Sequence, residues 1–224
     1  MTKTTSRPDR AWTERPLARI GALVAGAILI SALGGWTRRA RANDAANAPA
    51  AALASGALDT IERELDDARG RLALQQLQLD RYAAITLASS RYQVPADLAG
   101  AIHDIAVAEG IDPAIAFELV KLESNFKPKA RSNRDAIGFA QVRLATARQY
   151  EPGLTEQQLY DRDVNLRVGF RFLKDLLRTY RGNLELALLA YNRGPGAVND
   201  ILAQGGDPQN GYATQVLDGA RRAR

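Results

Sequence analysis

Residues 113–132 read PAIAFELVKLESNFKPKARS, and one carboxylate in this stretch decides how the chain is read. At about 100° per residue, Ile115, Ala116, Leu119, Val120, Leu122 and Phe126 fill one continuous arc of a helix. Glu123 falls inside that arc. Glu118, Lys121, Ser124 and Asn125 fall on the other side. A carboxylate on an apolar face loses solvation, so its protonated form is favoured and its pKa rises. Proteins make a general acid that keeps its proton near neutral pH in this way. The plainer reading is a boundary glutamate that snorkels out at the helix end, and the helix alone does not separate the two. Pro128 blocks continuation of the helix, so Glu123 belongs to its last turn, with a loop folding over it.

The residues that follow supply partners for such an acid. Ser132 and Gln141 are small polar groups on the loop, able to hydrogen-bond a substrate. Gly138-Phe139-Ala140-Gln141 reads as a tight turn that returns Gln141 toward the helix, with room for a short hairpin between Arg131 and Val142. Taken singly, Ser132 is as well explained as a turn residue and Gln141 as a surface amide. Asn165, Gly169, Phe172, Leu173 and Leu176 share a helical face. Asn165 on that apolar stripe implies a buried hydrogen bond, and Gly169 a close approach between packed elements. Ala190-Tyr191-Asn192-Arg193-Gly194-Pro195-Gly196 sets an aromatic ring and an amide at a helix end beside a glycine loop, an arrangement suited to a sugar face.

The pattern from residue 96 onward is helical throughout. Pro95 opens a helix that Gly110 ends, and Asp112-Pro113 is an N-cap followed by proline at the first helical position. Asp163 starts a third stretch through Tyr180. Asn183 caps a fourth, residues 184–192, stopped by Gly194-Pro195-Gly196.

Composition narrows the function classes. The chain has 224 residues, no cysteine and one histidine, which removes disulfide frameworks and thiolate metal sites and disfavours a histidine zinc site. The net charge of +5 is unevenly spread. Residues 1–57 hold eight Lys/Arg against three acids, residues 58–92 five against six, and residues 93–224 seventeen against sixteen. The basicity belongs to the N-terminal tail, so the folded part lacks the field of a nucleic-acid binder.

Residues 1–19 form a basic tail. Residues 20–36 (IGALVAGAILISALGGW) are uncharged and approach the length of a membrane helix. A signal peptide cut after Ala42 is one reading, since Ala40-Arg41-Ala42 has small residues at suitable offsets. The length of the run, with Arg38, Arg39 and Arg41 behind it, favours an uncleaved anchor. Five positive residues precede the run and three follow it, which favours a cytoplasmic N-terminus and an exported C-terminus. Residues 37–57 include an Ala-rich linker. In residues 58–92, Leu58, Ile61, Leu65, Ala68, Leu72, Gln75, Leu79 and Tyr82 recur at a/d heptad spacing. This stalk can self-pair as a coiled coil or pack on the main domain, residues 93–224.

Residues 109–216 resemble the catalytic domain of soluble lytic transglycosylases of the SLT type, within the goose-type lysozyme-like fold. The resemblance rests on Glu123-Ser124, Phe126, Pro128, Ala130 and Ser132; on Gly138-Phe139-Ala140-Gln141; on Asn165 and Gly169; on Ala190-Tyr191-Asn192, Gly194 and Gly196; and on the late Tyr212. It implies a mainly α, lysozyme-like domain, which the segments read above place behind a transmembrane segment and helical stalk. It implies peptidoglycan glycan strands as substrate, Glu123 as sole acid/base, and Ser132, Gln141, Tyr191, Asn192 and Tyr212 as substrate-binding residues. No cofactor or metal is expected. With the export signal, it implies a single-pass inner-membrane protein with its catalytic domain in the periplasm. Three positions depart from the family pattern. Asp135 stands for glycine, which its tolerance of a left-handed backbone permits. Ala140 stands for methionine, which would widen the groove. Leu144 stands for proline and affects only the next helix start. A hydrolytic muramidase on the same fold is the first alternative, with Asp135, Asp161 or Asp163 as second carboxylate. A non-catalytic glycan-binding module is the second, and the presence of Glu123 argues against it.

Overall fold

A computed structural model describes residues 44–223. The apolar run at residues 20–36 lies outside them. Among the described residues no helix is long and apolar enough to cross a membrane. Helix α1 (Asp44–Tyr92) takes in part of the Ala-rich stretch as well as the heptad region. The chain forms two compact units, one ending at Arg71 and one starting at Leu72.

In the first unit, Leu58 and Ile61 point to solvent. In the second, Leu72 and Leu79 are equally exposed. Within the second unit, the last turns of α1 pack on the helices that follow. Ile85 is buried, Arg81 Nε donates to Asp104 Oδ1 at 2.8 Å, and Tyr92 stacks on Phe117 with ring centroids 5.0 Å apart. His103 is partly covered, with Nδ1 3.1 Å from Asp104 Oδ1.

The second unit is mainly helical. Helix α2 (Ala96–Glu109) ends at Gly110, whose φ of 75° ends the helix in the left-handed conformation that glycine adopts without strain. Helix α3 (Pro113–Ser124) is capped by Asp112, whose Oδ1 accepts from the Ala114 N–H at 2.8 Å. Here the burial corrects the arc read from sequence. Glu118 and Ser124 are buried, while Leu122 is 37% exposed. The reason is that α3 is covered on more than one side. Glu118 accepts from Tyr92 Oη at 2.9 Å and lies against Gly219, and the Ser124 hydroxyl donates back to Val120 O.

A two-stranded antiparallel hairpin follows, β1 (Ala136–Ile137) and β2 (Val142–Arg143), pairing Ala136 with Arg143 and Ile137 with Val142. Beyond it come α4 (Leu144–Tyr150), α5 (Glu156–Leu159), α6 (Arg162–Thr179), α7 (Leu184–Arg193), α8 (Pro195–Ala203) and α9 (Tyr212–Ala223). Gly194-Pro195 does stop α7, and Pro195 then opens α8 as its first helical residue. Helix α6 runs through the core, with Leu166, Phe170 and Leu173 fully buried, and α9 packs along α3.

The hairpin turn is held onto α6 by one side chain. Asn165 is fully buried; its Nδ2 donates to Ile137 O at 2.8 Å and to Leu159 O at 3.0 Å, and its Oδ1 accepts from the Ala140 N–H at 2.8 Å. Removing that amide leaves buried backbone groups without partners, at roughly 1–3 kcal/mol each. Asn165→Ala is therefore expected to lower stability by about 2–4 kcal/mol. Urea unfolding followed by circular dichroism checks this; an unchanged midpoint would contradict the assignment.

Candidate active site

Glu123 occupies the last turn of α3, and the chain then reverses through Asn125 and Phe126, both with positive φ (48° and 58°). That reversal carries residues 127–135 back across the end of the helix. Asp135 adopts a φ of 57°, the left-handed backbone anticipated for it, and forms an ion pair with Arg131 at 2.8 Å. A groove of about 380 Å³ opens between this loop, the hairpin and the end of α7. Glu123, Ser132, Gln141, Tyr191 and Asn192 all line it.

Each of these side chains is fixed by a local contact. Ser132 Oγ accepts from the N–H groups of Arg134 and Ala136, at 3.2 and 3.1 Å, leaving its own proton free to donate into the groove. Gln141, with a φ of 46°, donates from Nε2 to Gly138 O at 2.9 Å. Tyr191 Oη donates to Ala140 O at 2.7 Å, and its ring lies 5.3 Å from that of Phe172. Asn192 Oδ1 accepts from Asn210 Nδ2 at 2.8 Å. A Cβ on Gly169 would sit 2.5 Å from the Ala140 Cβ and 3.0 Å from Tyr191 Oη. The glycine on α6 thus leaves room both for the hairpin turn and for Tyr191 of the neighbouring helix α7. Ala140 faces Gly169 and is fully buried behind the groove wall, so its small side chain does not widen the groove as expected from sequence.

Tyr212, at the start of α9, donates from Oη to Glu123 Oε1 at 2.6 Å. It sits on the carboxylate rather than among the groove-lining residues. Burial pushes the Glu123 carboxyl up from 4.5 to about 7, and the bond from Tyr212 opposes part of that rise. Tyr212 itself is held well above the usual phenol range by burial and by the adjacent Glu123. The site therefore holds a carboxyl that keeps its proton well above the usual carboxylate range, with a neutral donor fixing one of its oxygens.

The other candidate carboxylates have other partners. Asp161 Oδ1 caps α6 by accepting from the N–H groups of Asp163 and Val164, Asp163 pairs with Arg162, and Asp135 pairs with Arg131. Among the described residues that line the groove, Glu123 is the sole acid. No three His, Asp or Glu side chains among the described residues converge where a metal could sit. Sequence reasoning missed Phe172, Arg134, Arg143 and Arg193 as groove residues. Phe172 shares its helical face with Leu173 and Leu176, which hides its place at the groove. For Arg143, the alternation of the hairpin strand, Val142 inward and Arg143 outward, carries the signal.

The family model described as Transglycosylase SLT domain matches residues 100–212, and the chain belongs to that family. Over 123 residues, 49% of this chain, it is 30% identical to the membrane-bound lytic murein transglycosylase C of Edwardsiella ictaluri, spanning 33% of that protein's length. Among solved structures, the 70-kDa soluble lytic transglycosylase of Escherichia coli matches with a TM-score of 0.51 at 23% identity, over 61% of this chain and 25% of that one. A complex of the 70-kDa soluble lytic transglycosylase with bulgecin A matches with a TM-score of 0.51 at 24% identity, over 59% and 24%. These two likenesses establish the lysozyme-like SLT fold of the helical unit. The chain spans about a third of the curated relative and a quarter of the solved ones.

The partly buried Glu123 makes folding stability depend on pH. Its carboxyl ionises near 4.5 in the unfolded chain and near 7 in the folded one. The raised value means that its contribution is fully present below about pH 4.5 and is lost as pH rises through 7. Glu123→Gln cannot ionise. Relative to wild type, it is expected to gain stability between those pH values, on the order of 2–3 kcal/mol at pH 8. Denaturant unfolding at pH 5 and pH 8 checks this, and a pH-independent difference would contradict it.

Proposed function

We propose that this chain is a peptidoglycan lytic transglycosylase, cleaving the bond between N-acetylmuramic acid and N-acetylglucosamine with formation of a 1,6-anhydromuramyl end. Membership of the SLT family supports the substrate class. The observation that carries the reaction type is the single carboxyl in the groove, buried enough to keep its proton near pH 7.

The steps follow from that carboxyl. Glu123, protonated, gives its proton to the glycosidic oxygen as the C1–O bond breaks. The 2-acetamido carbonyl of the muramyl ring stabilises the developing cation at C1. Glu123, now a carboxylate, takes the proton from the C6 hydroxyl, whose oxygen bonds C1. The acid is regenerated and no water is consumed. Tyr212 Oη favours the carboxylate of the second step by hydrogen bonding, while burial favours the acid of the first. Ser132, Gln141, Tyr191 and Asn192 would hold the sugars along the groove.

A hydrolase would ordinarily need a second carboxylate about 5–9.5 Å from the first. Asp135, Asp161 and Asp163 are each engaged elsewhere. A non-catalytic module would not need an acid with so perturbed a pKa. We further propose that residues 20–36 anchor the chain in the inner membrane, with residues 93–224 in the periplasm and residues 58–92 as a stalk. The curated relative is named as membrane-bound, which supports the anchor. The solvent-facing Leu58, Ile61, Leu72 and Leu79 support pairing of the stalk with a second copy.

Glu123→Gln is expected to keep its fold and lose about 10²–10⁴-fold in turnover of purified murein, and Asp135→Asn to retain most activity. Near-wild-type turnover by a folded Glu123→Gln protein would remove Glu123 from the reaction. Loss of activity in Asp135→Asn would favour the hydrolase.

A further inference from the structure

Three arginines, Arg134, Arg143 and Arg193, line the same groove as Glu123. They come from different places in the fold: the loop after Ser132, the outward position of β2, and the last residue of α7. All three are exposed, and among the described residues no acidic side chain lies within ion-pair distance of any of them. Arg193 Nη1 donates to the Pro208 carbonyl at 3.1 Å, which leaves its charge uncompensated. Arg131, on the same loop, shows the contrast: it forms ion pairs with both Asp135 and Glu156. The main domain as a whole is close to neutral, with seventeen basic and sixteen acidic residues in 93–224. Unpaired positive charge is thus gathered around the groove, where the one acid is held largely protonated up to about pH 7.

A neutral sugar chain does not call for this. Hydroxyls and acetamides are met by side chains such as Ser132, Gln141 and Asn192. A guanidinium presents a planar fork of donors that matches a carboxylate, and charge-assisted bonds of this kind are the stronger ones. A cation in the last turn of a helix is explained by the helix dipole alone, but that covers Arg193 and not the other two. A nucleic acid would need a broad basic field, which the nearly neutral domain does not provide.

We propose that Arg134, Arg143 and Arg193 form a carboxylate-reading rim, so that the groove selects glycan strands bearing acidic groups on the lactyl arm of their muramyl sugars. The inference rests on the glycan-strand reading above. The acid can come from two sources. It is the free lactyl carboxylate on a strand stripped of peptide, or a carboxylate of the peptide attached there.

Binding is measured in full-length Glu123→Gln protein, so that turnover does not intervene, by titration calorimetry with soluble strands. Four preparations are compared: peptide-bearing strands, peptide-stripped strands, and each of these with carboxylates converted to amides. Blocking the carboxylates is expected to weaken binding about fivefold to tenfold, the scale of two or three exposed ion pairs. The same blocking is expected to matter less than about twofold when Arg134, Arg143 and Arg193 are all changed to Gln, or when only Arg134 and Arg143 are. The effect should also shrink as salt is raised from about 50 to 300 mM, because screening shortens the reach of exposed charges. Stronger binding of peptide-bearing strands identifies the peptide acids, and stronger binding of stripped strands the lactyl group. Binding indifferent to carboxylate blocking, equal sensitivity in the Gln variants, or no binding to any strand overturns the rim. Carboxylate-dependent binding by a wild-type chain that releases no muramyl ends would instead leave the rim and remove the reaction.

Discussion

One buried amide ties the site together. Asn165 projects from α6 into the turn of the hairpin and satisfies Ala140, Ile137 and Leu159 at once. Every residue of the groove's hairpin wall depends on where that turn lies. Gln141 follows Ala140 directly, Tyr191 hydrogen-bonds to the Ala140 carbonyl, and Gly169 leaves the space that lets Ala140 and Tyr191 reach α6. Gly138 completes the arrangement, since a Cβ there would sit 2.5 Å from Asn165 Nδ2 and its φ of 76° favours glycine as well. A fully buried amide with all its bonds made is worth more than its individual bonds suggest, because each lost partner leaves a desolvated group behind.

On the opposite wall, the determining quantity is desolvation of Glu123. Burial opposes ionisation, and the bond from Tyr212 supports it. The balance leaves a carboxyl that can be acid in one step and base in the next at the same pH. Tyr212 is positioned by α9, which packs along α3, the helix that carries Glu123. Donor and acceptor are therefore fixed by two helices in mutual contact rather than by a loop. The arrangement lowers stability at alkaline pH, where the buried carboxyl must ionise, and that cost goes with the reactivity.

Much of this was legible in the sequence because it depends on local rules. The caps at Asp112 and Asn183, the stop at Gly110, the turn at residues 138–141 and the buried role of Asn165 all follow from short-range chemistry. The less legible features depend on tertiary contacts. Glu118 and Ser124 look solvent-facing on a helical wheel, but Tyr92 and α9 cover that side, and Leu122 is left exposed instead. Helix α5 is only four residues long, too short for periodicity, although Thr155 and Gln158 form a capping box that the sequence displays. Helix α8 begins inside a Gly-Pro-Gly segment that reads as a stop, because Pro195 serves as its first helical residue. The assignment of Tyr212 to the carboxylate required a contact spanning 89 positions, which no spacing rule supplies.

The central claim is that one partly buried carboxyl, without a second and without water, performs both proton transfers. Digestion of purified glycan strands in ¹⁸O-water, with mass analysis of the new muramyl ends, tests this most directly. The account predicts 1,6-anhydro ends free of label, because the attacking oxygen is the sugar's own C6 hydroxyl. Reducing muramyl ends carrying ¹⁸O would contradict it.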